Sequence, residues 1–141
     1  MTRHIFNLRL SATYESSEND VATLEVQALS EDGWEPLDLN ITTPGFLVYV
    51  YSLFTCQHLF LRTNSTERDL VLASSRGEIL VETSEDWHLE NVDVKFDVNL
   101  VSGDAKEDNI DYIISRMKQC PVSKNLPSNF HARTYIAFHH E

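Results

Sequence analysis

Apolar and polar residues alternate twice near the start of the chain. Phe6, Leu8, Leu10, Ala12 and Tyr14 are separated by Asn7, Arg9, Ser11 and Thr13, and Ala22, Leu24, Val26 and Ala28 are separated by Thr23, Glu25 and Gln27. A period of two sends successive side chains to opposite faces, so each segment predicts a strand with one covered and one wet face. The polar stretch Glu15 to Asp20 between them reads as a solvated hairpin loop. Leu37, Leu39 and Ile41, after the Glu31-Asp32-Gly33 turn, predict a third short strand.

The period then changes. Thr43-Pro44 predicts a helix start, with a hydroxyl able to cap and a proline at the first helical position, where a missing N–H costs nothing. From Phe46 to Leu61 the apolar residues leave no wide polar stripe, which predicts a helix enclosed by the rest of the molecule or by a second subunit and ending near Arg62. Strands return between Leu70 and Leu100, with a turn expected at Arg76-Gly77. The clearest of them is Val92, Val94, Phe96, Val98 and Leu100. Beyond Ser102-Gly103-Asp104, the spacing of Ile110, Ile113, Ile114 and Met117 predicts an amphipathic helix, with acids at its start and Arg116 and Lys118 near its end complementing the helix dipole. It runs into Cys120-Pro121, which places the Cys120 thiol near free backbone N–H groups. A last strand is expected from Arg133 to Phe138.

With 141 residues and 42% hydrophobic content, the chain suits one domain with its own core. Eleven Lys and Arg stand against 22 Asp and Glu, a formal charge of −11 that repels phosphate backbones and anionic lipid, so neither nucleic acid nor a membrane is an expected partner. The first ten residues lack the apolar core of a signal peptide, which points to the cytoplasm and to reduced thiols. Gly45 to Leu61 is short for a membrane span and carries Gln57 and His58, so a buried core helix is the better reading. Without a secretory signal, the glycosylation patterns at Asn40 and Asn64 read as chance.

Candidate chemistry centres on the two cysteines, Cys56 within the apolar helix and Cys120 before a proline. His58 does not suit the role of base for Cys56: two residues apart on a helix is about 200°, so the side chains face apart, and His58 reads as a polar group at a helix edge or dimer contact. Tyr49, Ser52, Leu59 and Phe60 share the side of Cys56. No Cys-x-x-Cys or His-x-x-x-His pair closes a metal site, and His139-His140-Glu141 reads as an exposed chain end, so neither metal nor cofactor is expected.

Three features together resemble the OsmC/Ohr family of small thiol proteins: the Thr43-Pro44 start of an apolar helix containing Cys56, the regular strand from Val92 to Leu100, and an amphipathic helix ending in Cys120-Pro121-Val122-Ser123. The spacing of 64 positions between the cysteines is similar to the family's as well. The resemblance implies an α+β, OsmC-like fold, with antiparallel sheets around a long buried central helix in an intertwined homodimer. It also implies reduction of organic hydroperoxides, with Cys56 attacking the peroxide, Cys120 resolving the sulfenic acid to a disulfide, and a dithiol restoring both thiols.

Two parts of the family site are absent from this sequence. The catalytic members carry an arginine in the loop after the first strand, held by a glutamate early in the central helix. Here the loop Glu15 to Asp20 has no arginine, and the first helical turn, Pro44 to Leu47, has no glutamate. A helix-interior thiol without a nearby cation is mostly protonated at neutral pH. Arg62, Arg133 or a second subunit are the candidate replacements. The alternative is a non-catalytic OsmC-like dimer that binds a small hydrophobic ligand, its cysteines serving as packing residues.

Overall fold

The computed structural model describes residues 3–127 and 131–141. Strands β1 (His4–Glu15), β2 (Asp20–Ser30) and β3 (Gly33–Pro36) precede helix α1 (Gly45–Glu67). Strands β4 (Val71–Thr83) and β5 (Leu89–Ser102), helix α2 (Glu107–Lys118), a 3₁₀ turn (Ser123–Asn125) and strand β6 (His131–His140) complete the order. The six strands form a single sheet in the order β3-β2-β1-β4-β5-β6. All neighbours are antiparallel except β5 and β6, which run parallel. The architecture is thus α+β, but with one mixed sheet in place of the antiparallel sheets expected. A parallel neighbour requires a long return connection, and α2 supplies it.

The alternation in β1 is realised directly. Leu8, Leu10, Ala12 and Tyr14 are buried on the face that carries the helices, while Arg9, Ser11 and Thr13 are exposed on the other. The third strand sits earlier than its apolar residues suggested: it covers Gly33–Pro36, and Leu37 to Ile41 lie outside any strand. Its ladder with β2 reaches Pro36, and the Leu37 N–H still donates to the Val26 carbonyl at 2.9 Å just beyond it. The loop before β2 is also more than a solvated turn. Asn19, at a left-handed φ of 60°, is fully buried. Its Nδ2 donates to the Leu70 carbonyl at 3.0 Å, and its Oδ1 accepts from the Leu72 N–H at 2.8 Å, tying the hairpin to the start of β4.

No turn forms at Arg76-Gly77. Strand β4 passes straight through it, and the chain reverses at Ser84 to His88, where the Trp87 N–H donates to the Ser84 carbonyl. Gly77 has a packing function instead. Leu10, Gly77 and Phe96 lie in one row across β1, β4 and β5, and the missing side chain leaves room for the Phe96 ring. That ring packs beneath α1, its centroid 5.7 Å from Phe54 and 5.9 Å from His58.

Helix α1 begins one residue later than expected and runs one turn further. Pro44 occupies the cap position without a side-chain hydrogen bond, Gly45 is the first helical residue, and the helix continues to Glu67. One face is enclosed by the chain itself: Val50, Leu53, Phe54, Gln57, His58, Leu61, Asn64 and Ser65 are buried. The opposite face is open, with Val48 and Leu59 38% and 44% exposed. The burial of Asn64 in this helix, its Nδ2 donating to the Phe60 carbonyl, leaves that glycosylation pattern no accessible acceptor. Helix α2 follows its predicted pattern, burying Ile113 and Met117. Among the described residues, no helix is long and apolar enough to cross a membrane.

Candidate functional site

The fold brings the two cysteines together. Cys56 lies half-buried on α1, and Cys120 is fully buried just beyond the end of α2; both thiols are free. Two features of the local chain place Cys120. The α2 helix ends at Lys118, and the N–H of Cys120 still reaches the Met117 carbonyl at 3.2 Å, which turns the side chain inward. Pro121 then starts a tight turn in which the Lys124 N–H donates to the Cys120 carbonyl at 2.9 Å and the Ser123 N–H points at Cys120 Sγ at 3.5 Å.

The electrostatics of Cys56 follow from this packing. Its thiol is pushed up to about 11, first by burial and next by its hydrogen bond with the Cys120 side chain. The backbone N–H groups of Val122 and Ser123 act in the opposite direction, favouring the thiolate, while the charge that Cys120 would carry adds to the rise. No cationic side chain figures among these influences. Arg62 instead lies on the far side of α1, where its charge acts on Tyr14 and His58 and its Nη1 donates to the Asn19 carbonyl at 3.3 Å. Arg133 pairs with Asp93, Nε to Oδ1 3.5 Å. Neither of the two arginines considered as replacements supplies the missing positive charge.

His58 points away from Cys56, as helical geometry requires, but it is not at a helix edge. It is buried in the core, with its Nε2 2.7 Å from Tyr14 Oη, which in turn lies 2.5 Å from Ser75 Oγ. Burial, reinforced by Arg62, lowers the His58 pKa to about 4, and burial pushes the Tyr14 phenol up to about 12. Both are therefore neutral at pH 7. Of the residues sharing the side of Cys56, Ser52 Oγ donates to the Tyr49 carbonyl at 2.6 Å and so satisfies a local acceptor, while burial raises the Tyr49 phenol. His139 and His140 are exposed, but they are part of β6 and no loose chain end. Among the described residues, no group of three or more His, Cys, Asp or Glu side chains is placed to hold a metal ion.

Sequence reasoning missed a second layer around the cysteines. Gln57 is only 3% exposed, and its Nε2 donates to Ser123 Oγ at 3.0 Å while its Oε1 accepts from Thr134 Oγ1 at 3.1 Å. The signal available was an amide in the middle of an apolar helix, which must find partners once buried. Where those partners lay, in the turn after Cys120 and in β6, was not readable from local pattern.

The sheet order, the helix on one face and the returning parallel strand define an OsmC-like fold. Solved structures bear this out. The chain matches an OsmC like protein from Mycoplasma pneumoniae with a TM-score of 0.52 at 13% identity, over 99% of this chain and 97% of that one. It matches a Psychrobacter arcticus protein named for an osmotic stress and detoxification response with a TM-score of 0.54 at 12% identity, over 91% and 93% of the two chains. At such identities the likeness is one of fold. No protein-family model and no curated protein matches the chain in sequence.

Proposed function

We propose that this protein is a thiol-dependent peroxidase of the OsmC/Ohr type that reduces organic hydroperoxides in the cytoplasm. One observation carries the reading: two cysteines 64 positions apart, on different elements, meet as thiol neighbours with backbone N–H groups directed at the sulfur. The Cys56 thiolate attacks the distal oxygen of the hydroperoxide, the O–O bond breaks, and the alcohol leaves after taking a proton, with Cys56 becoming a sulfenic acid. The Cys120 sulfur then displaces hydroxide from that acid, forming the disulfide and water. A dithiol reduces the disulfide with two electrons and two protons, closing the cycle.

The slow step is ionisation. With the thiol at about 11, the thiolate fraction at pH 7 is on the order of one in ten thousand, so turnover is slow at neutral pH and rises with pH. The reading also includes a homodimer. The open face of α1 carries Val48, Thr55, Leu59 and Thr63 without a charge, and Leu24 of β2, on the helix side of the sheet, is 49% exposed. A second copy laid against these surfaces buries both.

The test is consumption of an alkyl hydroperoxide with a dithiol reductant, run beside Cys56→Ser and Cys120→Ser, with mass spectrometry of the oxidised protein. A Cys56–Cys120 disulfide after one equivalent of peroxide supports the reading, and two intact thiols after excess peroxide refute it. Light scattering checks the dimer: a species of 16.2 kDa at micromolar concentration excludes it.

The raised Cys56 thiol favours a second reading, an OsmC-like dimer that binds a small hydrophobic ligand without turnover. The cleft between β1, β2 and the start of α1, about 580 Å³ and lined by Phe6, Leu8, Leu37 and Leu47 among others, is its candidate site. In that case Cys56→Ser leaves binding unchanged, and abolished binding contradicts it.

A further inference from the structure

We infer that Gln57 is a positioning residue: by bonding Ser123 on one side and Thr134 on the other, it holds the Cys120-to-Ser123 turn against Cys56 and thereby sets the reactivity of the Cys56 thiol. The inference rests on Cys56 as the attacking thiol of the proposed reaction. Three observations support it independently of that chemistry. Gln57 follows Cys56 directly on α1, so its side chain fixes the rotation and height of the helix at the cysteine. Its amide is almost fully buried and both ends are paired, with Nε2 donating to Ser123 Oγ and Oε1 accepting from Thr134 Oγ1. The residue it grips, Ser123, is the one whose backbone N–H points at Cys120 Sγ.

Packing alone does not explain the choice of glutamine. A leucine would fill a similar volume in an otherwise apolar helix without the cost of burying an amide. What the amide adds is a link between three segments distant in sequence: α1, the turn after α2, and β6. That link carries weight here because, among the described residues of this chain, no cationic side chain acts on Cys56. The backbone N–H groups of Val122 and Ser123 are the groups that favour its thiolate, and they belong to the turn that Gln57 holds.

The experiment is alkylation of the reduced protein by iodoacetamide from pH 7 to 10.5, with Cys56 modification followed by peptide mass spectrometry, for wild type, Gln57→Leu, Ser123→Ala and Thr134→Val. Loss of the clamp lets the turn withdraw, so the pH profile of Cys56 moves upward and alkylation at pH 8 slows by about 3- to 10-fold. The double variant Gln57→Leu/Ser123→Ala is no slower than Gln57→Leu alone, since that substitution already removes the bond to Ser123. Ser123→Ala leaves α1 untouched and supplies the answer if Gln57→Leu loses its native circular dichroism spectrum. An unchanged pH profile in Ser123→Ala overturns the inference, as does a change confined to the limiting rate at unchanged profile, which reports access only. Alkylation needs no peroxide, so a wild-type protein that fails to consume peroxide refutes the peroxidase while leaving this result to be read on its own.

Discussion

Replacing Gly77 with alanine tests the packing at the centre of the sheet. A Cβ at this position would stand 2.7 Å from Phe96 Cδ1 and 3.2 Å from Leu10 Cγ, and nearer still to Phe96 Cε1. Carbon atoms in comfortable contact are about 3.5–4.0 Å apart, so the ring must retreat by roughly 1 Å. It has nowhere to go, because Phe96 is buried beneath Phe54 and His58. Overpacking of this kind costs about 1–3 kcal/mol, and full burial with two tight neighbours places it near the upper end. Relief of the glycine's backbone entropy returns about 0.5–1 kcal/mol. The net loss is then about 2 kcal/mol, equivalent to a fall in Tm of about 6–7 °C for a chain of this length. Urea denaturation and thermal unfolding at one fixed protein concentration measure it, because a dimer's stability depends on concentration. Phe96→Leu in the Gly77→Ala background should recover about 1 kcal/mol or more relative to additivity. A Gly77→Ala protein as stable as wild type, or a strictly additive double variant, refutes the reasoning.

Acidification should destabilise the fold through His58. Its folded pKa of about 4 lies below the unfolded value of about 6.5, so the unfolded state binds the proton more readily; the contribution is complete above pH 6.5 and is lost as pH falls toward 4. That is about 2 kcal/mol by pH 5, seen as a lower urea midpoint, and the pH 5 loss shrinks in His58→Gln. Tyr14→Phe leaves His58 and Ser75 without a buried partner and should cost about 1–3 kcal/mol in the same assay, whereas a loss below about 0.5 kcal/mol shows that the network is not held by this hydroxyl. In the wild type, alkylation of Cys56 should rise about tenfold per pH unit from 7 to 10, and a plateau below pH 9 contradicts the raised thiol.

Much of the fold was legible because its signals are local. Alternation marked β1, β2 and β5, and 3.6-residue periodicity marked α2, since each period records how one element presents its own side chains. Errors arose where a residue answered to a distant partner. Gly77 looked like a turn residue but is a vacancy for Phe96, and Asn19 looked solvated but is the plug between the first hairpin and β4. His58 was placed correctly by angle and wrongly by depth, because helix geometry gives direction while burial depends on what lies opposite.

The same division runs through the site. From the sequence alone came an apolar helix holding a thiol, a second thiol before a proline, and a likeness to a family in which such thiols work together. The sequence also determined what was lacking, an arginine and a glutamate where the family carries them. Tertiary structure alone decided that Cys120 and the N–H groups after it stand at Cys56, that Arg62 and Arg133 serve other partners, and that Gln57 ties the assembly together. The reason is physical: periodicity and charge belong to a segment, whereas the ionisation of a thiol is set by the groups that folding packs around it.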